Sequence, residues 1–416
     1  MSKVSILTIG DEICIGQVTN TNAVWIATQC THLGYAVILH STVGDDKYLM
    51  LKEIDRLFNL SDVLIITGGL GPTHDDITKP TLCEYFNDEL VLHKPTLEHL
   101  EQFFKKRDYT LTDRNKTQAY IPSKCTPLRN DLGTAPGMQF EKDGKFIISL
   151  PGVPAEMKSI MEKYVFQFLQ NLLAERKSDV VLYKTIHTSG IPESMLADLI
   201  GEPSKFLGDG RLAFLPTYQG VRLRIGITEK NIELGMRRIT EIENIVRKRV
   251  GKYIFGENEE TLSSAIGRLL KEKGKTLSVA ESCTGGVLGG EITKVSGSSE
   301  YFFGGVIAYS NEAKINVLEV GKVTIEKYGA VSEQTAIELA YHVKGLFNTD
   351  YGISITGIAG PTGGTTEKPV GTVWIGLADE NGVSAKKYTF GEDRTVNRER
   401  AVGTALTLLY KKLIEN

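Results

Sequence analysis

The fold is decided by the stretch DVLIITGGLGP at residues 62–72, in which the apolar run Val63–Thr67 leads into a glycine-rich turn. Working outward toward the N-terminus, helices and strands alternate: we predict a helix at Lys47–Leu60, a strand at Ala36–Val43, a helix at Asn20–Leu33 and a strand at Val4–Ile9. Short apolar strands that alternate with helices are typical of a parallel sheet covered on both faces. The first 170 or so residues are therefore predicted to form a three-layer α/β domain.

Composition excludes several classes of protein. A chain of 416 residues with 41% hydrophobic and 24% charged residues suggests two or three globular domains. The net charge of −3 supplies no positive field for nucleic acid. The five cysteines are scattered without a CxxC pair, and no apolar run reaches the roughly 20 residues of a membrane span. We expect a reduced cytoplasmic protein without a signal peptide, membrane contact or nucleic-acid partner.

A different pattern occupies residues 176–255. We predict a β-α-β-β-α order, with strands at Val180–Thr188, Arg211–Pro216 and Val221–Thr228 and helices at Ile191–Ile200 and Ile232–Val250. This order resembles a KH-like α+β domain, but the GxxG loop that holds a phosphate backbone is missing. A spacer or dimerisation role is the alternative to RNA binding, and we expect a homodimer. Residues 256–260 are predicted to be a polar linker.

Beyond the linker the α/β pattern resumes, and Ser282 follows the predicted strand Thr276–Ala280. A serine at a strand-to-helix turn exposes its hydroxyl beside free helix N–H groups, which form a ready oxyanion site for acyl transfer. The alternative is that Ser282 and Thr284 only cap the helix. Cys283 is a competing nucleophile, because thiols are intrinsically more nucleophilic.

Three later strand ends carry further candidate groups. Lys314 lies in the first turn of a predicted helix, where the dipole lowers its pKa and suits it to act as a general base; a solvated lysine is the alternative. The loop Thr356–Gly364 could form an anion-binding nest of N–H groups. A guanidinium clamp could come from the start of the last helix, at Asp393, Arg394 and Arg398.

The segments AESCTGG, AYSNEAK, GAVSEQTA, SITGIAGPTGG and KPVGTVW together resemble the C-terminal domain of the CinA family, the nicotinamide-nucleotide amidases, over residues 257–416. The resemblance implies hydrolysis of nicotinamide mononucleotide to nicotinate mononucleotide and ammonia without a cofactor. It also implies that Ser282 is the nucleophile and that Tyr309 and Lys314 activate it. The implied substrate-binding residues are Thr284, Gly285, Gly286, Thr356, Gly357, Ala359, Gly360, Gly363, Gly364 and Arg394. Where family members often carry Gly-Asp-Arg, this chain carries the extra carboxylate of Glu392.

The N-terminal turn Thr67–Asp76 also has the character of a ligand site. Its glycines allow backbone N–H groups to approach a phosphate, and the helix that follows adds a favourable dipole. Asp75 and Asp76 could hold a divalent cation that bridges a diphosphate. The alternative is a glycine turn in which Asp76 caps the helix. The turn contains neither a Walker lysine nor a GxGxxG motif.

The segments GDEICIGQVTNTNA, TGGLGPTHDDIT, NKTQAYIP, GTAPGM and LPGVPAEM resemble the N-terminal domain of the same family, which is related to the molybdopterin-binding fold, over residues 1–172. This resemblance implies an ADP-ribose pyrophosphatase that needs a divalent metal and potassium. The implied nucleotide contacts are Asp11, Glu12, Asn20, Asn22, Gly68, Gly69, Gly71 and Thr73, with Asp75 and Asp76 as metal ligands.

The sequence therefore predicts a bifunctional enzyme of pyridine-nucleotide recycling, with domains at 1–172, 176–255 and 257–416. Its partners would be small nucleotides, nicotinamide mononucleotide and ADP-ribose. Two alternatives stay open: a nucleotide-sensing scaffold linked to competence, and an N-terminal domain that binds molybdopterin without pyrophosphatase activity.

Overall fold

The structure is a computed structural model that describes residues 1–415, so Asn416, the last residue of the predicted C-terminal domain, lies outside the described residues. The chain divides into two compact units. Unit 1 comprises residues 1–183 and 226–240, and unit 2 comprises residues 184–225 and 241–416.

The N-terminal part of unit 1 has the predicted alternation of strands and helices. Its strands are β1 (Lys3–Ile9), β2 (Ala36–Val43), β3 (Val63–Thr67), β4 (Leu90–Leu92), β5 (Tyr120–Pro122), β6 (Thr126–Leu128), β7 (Gly137–Lys142) and β8 (Lys145–Leu150). Its helices are α1 (Asp11–Cys14), α2 (Thr21–His32), α3 (Lys47–Leu60), α4 (Thr78–Tyr85), α5 (Lys94–Lys105), α6 (Asp113–Lys116), α7 (Pro154–Ile160) and α8 (Phe166–Arg176).

The main sheet of unit 1 has the order β2-β1-β3-β8-β7-β6. Strands β2, β1, β3 and β8 are parallel, whereas β7 and β6 add an antiparallel edge. The antiparallel edge follows from the turn between β7 and β8, where Asp143 and Gly144 both have positive φ, at 54° and 70°. Two central residues with positive φ match the twist of a tight hairpin.

Alternate residues of the central strands enter two separate cores. Ile6 of β1 packs with α2, α7 and α8, whereas its neighbour Leu7 packs with α3 and α4. Ile65 and Ile66 of β3 divide between the same two cores. This period-two division places helices on both faces of the sheet, which confirms the predicted three-layer α/β class.

The central segment forms β9 (Val180–Thr188), α9 (Glu193–Ile200), α10 (Ser204–Leu207), β10 (Arg211–Thr217), β11 (Gly220–Glu229), α11 (Ile232–Val250) and β12 (Ile254–Glu257). Its sheet has the order β10-β11-β9-β12, which agrees with the predicted α+β module. The division between the two units falls inside β9, β11 and α11 and not in loops.

The prediction of a polar linker at residues 256–260 was wrong at its start. Gly256 and Glu257 belong to β12, which pairs antiparallel with β9. The Glu257 carboxylate forms ion pairs with Lys184 and Arg247, so its charge is neutralised within the sheet. A charged sequence that looked like a linker is therefore an edge strand with paired side chains.

The C-terminal part of unit 2 contains a five-stranded sheet of order β14-β13-β15-β16-β17. Its strands are β13 (Leu277–Glu281), β14 (Phe302–Ile307), β15 (Tyr351–Gly357), β16 (Thr372–Asp379) and β17 (Gly382–Thr389). Its helices are α12 (Leu262–Glu272), α13 (Val287–Thr293), α14 (Asn311–Leu318), α15 (Lys322–Tyr328), α16 (Glu333–Phe347) and α17 (Arg394–Glu415). Strands β14, β13 and β15 are parallel, so their carboxyl ends share one edge of the sheet.

Candidate functional site

Ser282 lies at the carboxyl end of β13, with a strand on either side. Its backbone N–H donates to the carbonyl of Ile355 in β15 at 2.9 Å, which extends the sheet by one residue and fixes the start of the turn. The residue is 8% exposed. Ser282 is therefore held at the sheet edge where parallel α/β sheets carry their ligands.

Lys314 reaches the Ser282 hydroxyl from the neighbouring strand-to-helix connection. Ser310 caps α14 by accepting from the N–H of Ala313, and Lys314 follows one residue later. The Lys314 Nζ lies 3.1 Å from the Ser282 Oγ, and the lysine is only 1% exposed. Burial lowers the pKa of Lys314, because the low-dielectric interior disfavours its charged form.

The Lys314 amine is surrounded by backbone carbonyl oxygens. Nζ also donates to the carbonyl oxygens of Ala308 at 2.8 Å, Tyr309 at 3.3 Å and Ser310 at 3.4 Å. No carboxylate among residues 1–415 forms an ion pair with it. The contact with Ser282 Oγ is likewise a donation from the amine. Burial, the larger effect, disfavours the ammonium form, whereas the nearby charge of Glu312 favours it. The buried amine and the serine hydroxyl are therefore within hydrogen-bonding distance.

Glu281 occupies the helix end that the sequence suggested as the oxyanion site. Its carboxylate is 2% exposed and accepts backbone N–H groups at the start of α13: Gly286 at 3.0 Å, Leu288 at 3.0 Å and Gly289 at 2.8 Å. The expectation that these N–H groups are free for a substrate oxyanion was wrong, because a buried anion already satisfies them. Sequence reasoning gave Glu281 no role, although an acidic residue before a helix N-terminus is a signal that could have been used.

Thr284 offers a different donor close to Ser282. Its backbone N–H makes no hydrogen bond to any residue between 1 and 415, and its buried Oγ1 also has no partner in that range. The Thr284 carbonyl accepts from Nε and Nη2 of Arg398 at 3.2 and 2.7 Å. The turn after Ser282 is therefore fixed at the Thr284 carbonyl, and the N–H groups of Cys283 and Thr284 donate to no other residue within 1–415.

The Tyr309 side chain forms its hydrogen bond with Arg394 and not with Ser282, which it was predicted to activate. Tyr309 is 59% exposed, and its phenol accepts from Nη2 of Arg394 at 2.8 Å, whereas its backbone carbonyl accepts from Lys314. Arg394 also donates to the carbonyl of Gly360 at 2.9 Å. Tyr309 and Arg394 therefore form a pair at the edge of the site.

The glycine-rich loop between β15 and β16 is fastened by α17. Asn397, which is 1% exposed, donates to the carbonyls of Ala359 at 2.9 Å and Gly391 at 2.8 Å. Gly363 and Gly364 are exposed, whereas Thr356 is buried and donates to the carbonyl of Ala330. The contribution of Asn397 was missed, because its contacts join segments distant in the sequence.

Cys283 is poorly suited to act as a nucleophile. Burial raises the pKa of its thiol to about 11, despite the favourable charges of Lys314 and Arg394. Reactive cysteines act as thiolates and need a lowered pKa. Ser282, which contacts the buried amine, is the better candidate.

Unit 1 contains a separate cleft of about 500 Å³ at the carboxyl ends of β1 and β3, called here the large cleft. The predicted residues that line it are Gly10, Glu12, Asn20, Asn22, Gly68, Gly69, Gly71, Asp75 and Asp76. The cleft is also lined by Asp45 and Glu156, but its lining contains no lysine, arginine or histidine. Burial raises the pKa of Asp45, and the negative charges of Asp11, Glu12 and Asp75 add to the shift. The cleft is thus strongly acidic.

Several predicted nucleotide contacts have structural partners. Asn20 caps α2 and donates to Thr8 Oγ1 at 2.9 Å, and Asn22 donates to the carbonyl of Gly152 at 2.7 Å. Asp11 exchanges backbone–carboxylate hydrogen bonds with Asp45, and neither it nor Thr73 lines the cleft. Asn20 and Asn22 therefore lie in the cleft wall, whereas Asp11 and Thr73 lie outside the lining.

The glycine turn is held by Asp76 and requires glycine at position 68. The Asp76 carboxylate accepts from the N–H of Gly71 at 2.7 Å and of Thr73 at 2.9 Å, whereas the N-cap of α4 is Ile77. Gly68 has φ of 108°, and a Cβ there would lie 2.2 Å from the Ile9 carbonyl oxygen. Asp76 therefore supports the turn, and Asp75 is its exposed carboxylate.

Similarity to known proteins identifies the family of this chain. A "CinA-like protein" from Kosmotoga olearia is 42% identical, and the match covers 99% of this chain and 99% of that protein. The chain belongs to the CinA family. A second family member, a "Putative competence-damage inducible protein" from Halothermothrix orenii, is 43% identical over 98% of both chains.

Three domain-family models match successive parts of this CinA-family chain. They are described as a probable molybdopterin binding domain at residues 5–171, a damage-inducible protein CinA KH domain at 183–256 and a CinA C-terminal domain at 259–413. Among solved structures, the competence/damage inducible protein CihA from Agrobacterium tumefaciens is 39% identical, covering 36% of this chain and 91% of that one with a TM-score of 0.35. The predicted three-part architecture is confirmed. No helix within residues 1–415 is long and apolar enough to cross a membrane.

Proposed function

We propose that this CinA-family chain is a bifunctional enzyme of pyridine-nucleotide recycling. In the proposal the C-terminal domain, predicted at 257–416, is a serine amidase that converts nicotinamide mononucleotide to nicotinate mononucleotide and ammonia. The N-terminal domain, predicted at 1–172, is a metal-dependent ADP-ribose pyrophosphatase. The observation that carries the amidase is the 3.1 Å contact between Lys314 Nζ and Ser282 Oγ in a buried setting.

In the amidase, the Ser282 Oγ attacks the carbonyl carbon of the amide while its proton passes to the neutral Lys314 amine. The tetrahedral intermediate then collapses, and Lys314 gives the proton to the departing nitrogen, which leaves as ammonia. Water attacks the resulting ester, with Lys314 again taking a proton and returning it to the Ser282 oxygen. Each proton that Lys314 accepts is given back, so the enzyme returns to its starting state.

The oxyanion needs donors near Ser282, since removal of one such donor typically costs ~100- to 1,000-fold in rate. The N–H groups of Cys283 and Thr284, which donate to no other residue within 1–415, are the donors assigned to it. Glu281 supports the reaction indirectly, because it holds the N–H groups of α13 and thereby fixes the turn that presents Ser282. Exposed Tyr309 and its partner Arg394 are assigned to the substrate-binding edge.

The charge of the large cleft supports the requirement for cations. A diphosphate cannot bind among the five carboxylates of Glu12, Asp45, Asp75, Asp76 and Glu156 unless positive charge accompanies it. Residues 1–415 contain no preformed cluster of three or more metal-ligating side chains. Mg²⁺ is commonly held by one or two carboxylates together with the phosphates of a substrate. Asp75 would hold such an ion, which would neutralise the diphosphate, and Asp76 would hold the turn that carries Asp75.

Ammonia release from nicotinamide mononucleotide by the full chain tests the proposed amidase. Turnover that is lost in Ser282→Ala would support it, whereas binding of the nucleotide without turnover would favour a nucleotide-sensing scaffold. Cleavage of ADP-ribose with and without magnesium and potassium separately tests the N-terminal assignment. Molybdopterin binding without cleavage is the competing result there. The cytoplasmic location and the homodimer stay predictions.

A further inference from the structure

A second, smaller cavity in unit 1 is lined by nitrogen-bearing side chains in place of the carboxylates of the large cleft. It has a volume of about 100 Å³ and lies between the start of α5 and the segment 127–136. His93 and His99 line it from the α5 side and Arg129 from the other, and no carboxylate is among its lining residues. Arg129 is the only lysine or arginine among the described residues of this lining, and its exposed side chain also forms an ion pair with Asp131. We call this the basic cavity.

The nitrogens around the basic cavity have unused hydrogen-bonding capacity. The Nε2 of His99 is buried and has no partner within the described chain, although a buried polar nitrogen is unfavourable without one. His93 contacts Thr96 Oγ1 at 2.8 Å through Nδ1, which leaves its Nε2 for a ligand. Arg129 contacts Asp131 through Nε at 2.7 Å, and no residue within 1–415 accepts from its two Nη nitrogens.

A rigid loop separates the basic cavity from the large cleft. Thr134 lines both spaces. Asn130, only 2% exposed, fixes the loop by donating to the Ala135 carbonyl at 2.9 Å and by accepting from the N–H of Gly133 at 2.9 Å. A group in the basic cavity therefore lies against the wall of the large cleft and stays outside its acidic interior.

We propose that the basic cavity is a binding site for a phosphate group, either free phosphate or the monoester of a nucleotide. An arginine with free Nη donors recognises phosphate oxygens in a bidentate manner, and the two imidazoles provide further donors. The cavity volume of about 100 Å³ is larger than a single water needs and leaves room for a phosphate group. The start of α5, a helix of 12 residues, adds the positive end of its dipole. The proposal of a phosphate site does not depend on the pyrophosphatase assignment, because its test measures phosphate binding and not cleavage of ADP-ribose.

The test is isothermal titration of the full chain with inorganic phosphate, adenosine 5′-monophosphate and adenosine at constant pH and ionic strength. We expect Arg129→Gln and His99→Gln each to weaken phosphate binding by about tenfold or more. Arg107→Gln is the matched control, since it removes an equal charge just beyond α5, where Arg107 stacks on Phe103 outside the cavity. The phosphate affinity of Arg107→Gln should stay within about twofold of the wild-type value.

The nucleotide distinguishes the two sources of phosphate. If Arg129→Gln weakens the monophosphate as much as free phosphate and leaves adenosine unchanged, the cavity holds the phosphate of a nucleotide. If only free phosphate is weakened, the site serves the inorganic ion. Equal phosphate affinity in wild type, Arg129→Gln and His99→Gln overturns the proposal, as does a wild type that binds neither phosphate compound. Thermal unfolding of each variant shows that a lost affinity is not a lost fold.

Discussion

Replacement of Lys314 tests the proposed amidase mechanism most directly. Lys314→Met keeps an unbranched side chain of similar length in the buried space but removes the amine that lies 3.1 Å from Ser282 Oγ. Lys314→Arg keeps a cation, but a guanidinium does not deprotonate in proteins. We expect both variants to be nearly inactive if the amine acts as a base. If the lysine only supplied charge, Lys314→Arg would retain activity.

The expected magnitudes follow from the contact between the two side chains. General base catalysis contributes roughly 100- to 10,000-fold, so Lys314→Met should lose a factor in that range. Loss of the nucleophile in Ser282→Ala can cost about 1,000,000-fold. Because the two groups act on one proton, the double variant should be no slower than Ser282→Ala alone. Strong non-additivity of this kind is expected only for residues that act as a unit.

The assay is the initial rate of ammonia release by the full chain as a function of pH. Burial lowers the pKa of Lys314, so the neutral amine should become abundant below the reference value of about 10.4. Turnover should rise with pH through that lowered pKa and then level off. Lys314→Arg turning over at close to the wild-type rate would refute base catalysis by this lysine, as would a double variant whose loss is the product of the two single losses.

The other predictions concern the nucleophile, its support and the metal. Ser282→Ala should abolish ammonia release while Cys283→Ala keeps most of it, because burial raises the pKa of the thiol to about 11; loss confined to Cys283→Ala would replace the serine with a thiol. Glu281→Gln should lower the free energy of unfolding by about 2–4 kcal/mol, because an amide cannot accept all three backbone N–H groups. The kcat of this variant should fall by a larger factor than its KM rises. Glu291→Gln on the same helix is the control and should cost less than about 0.5 kcal/mol in urea unfolding; equal costs would show that the Glu281 contacts contribute nothing special. EDTA and Asp75→Asn should each suppress ADP-ribose cleavage and leave ammonia release unchanged, and metal-dependent ammonia release would contradict the proposed amidase chemistry.

The sequence predicted the parts of the site that are local in the chain. Ser282 and Lys314 each follow a short apolar strand, and the carboxyl ends of adjacent parallel strands meet at one edge. Local signals such as the strand-ending serine and the Ser310 cap were therefore enough to suggest that these side chains approach each other. The structure brings them within hydrogen-bonding distance.

The contacts that the sequence did not reveal depend on side-chain direction and on distant segments. Whether the N–H groups of α13 are free depends on which way Glu281 turns, and a buried carboxylate that turns inward satisfies them. The Tyr309 phenol pairs with Arg394, a residue 85 positions away, which no local pattern encodes. The edge strand at Gly256 and Glu257 was hidden for the same reason, since its partners Lys184 and Arg247 lie elsewhere in the chain.

The chain passes from one compact unit to the other inside β9, again inside β11 and again inside α11, and this affects how the gene can be divided. A protease that cuts once between residues 183 and 184 leaves residues 226–240 covalently joined to the second unit while they are still folded into the first. Truncations designed at the apparent domain borders would remove part of a strand or helix from the unit that was meant to survive. Recombination that swaps one unit between family members would have to replace two separate segments of the gene at once.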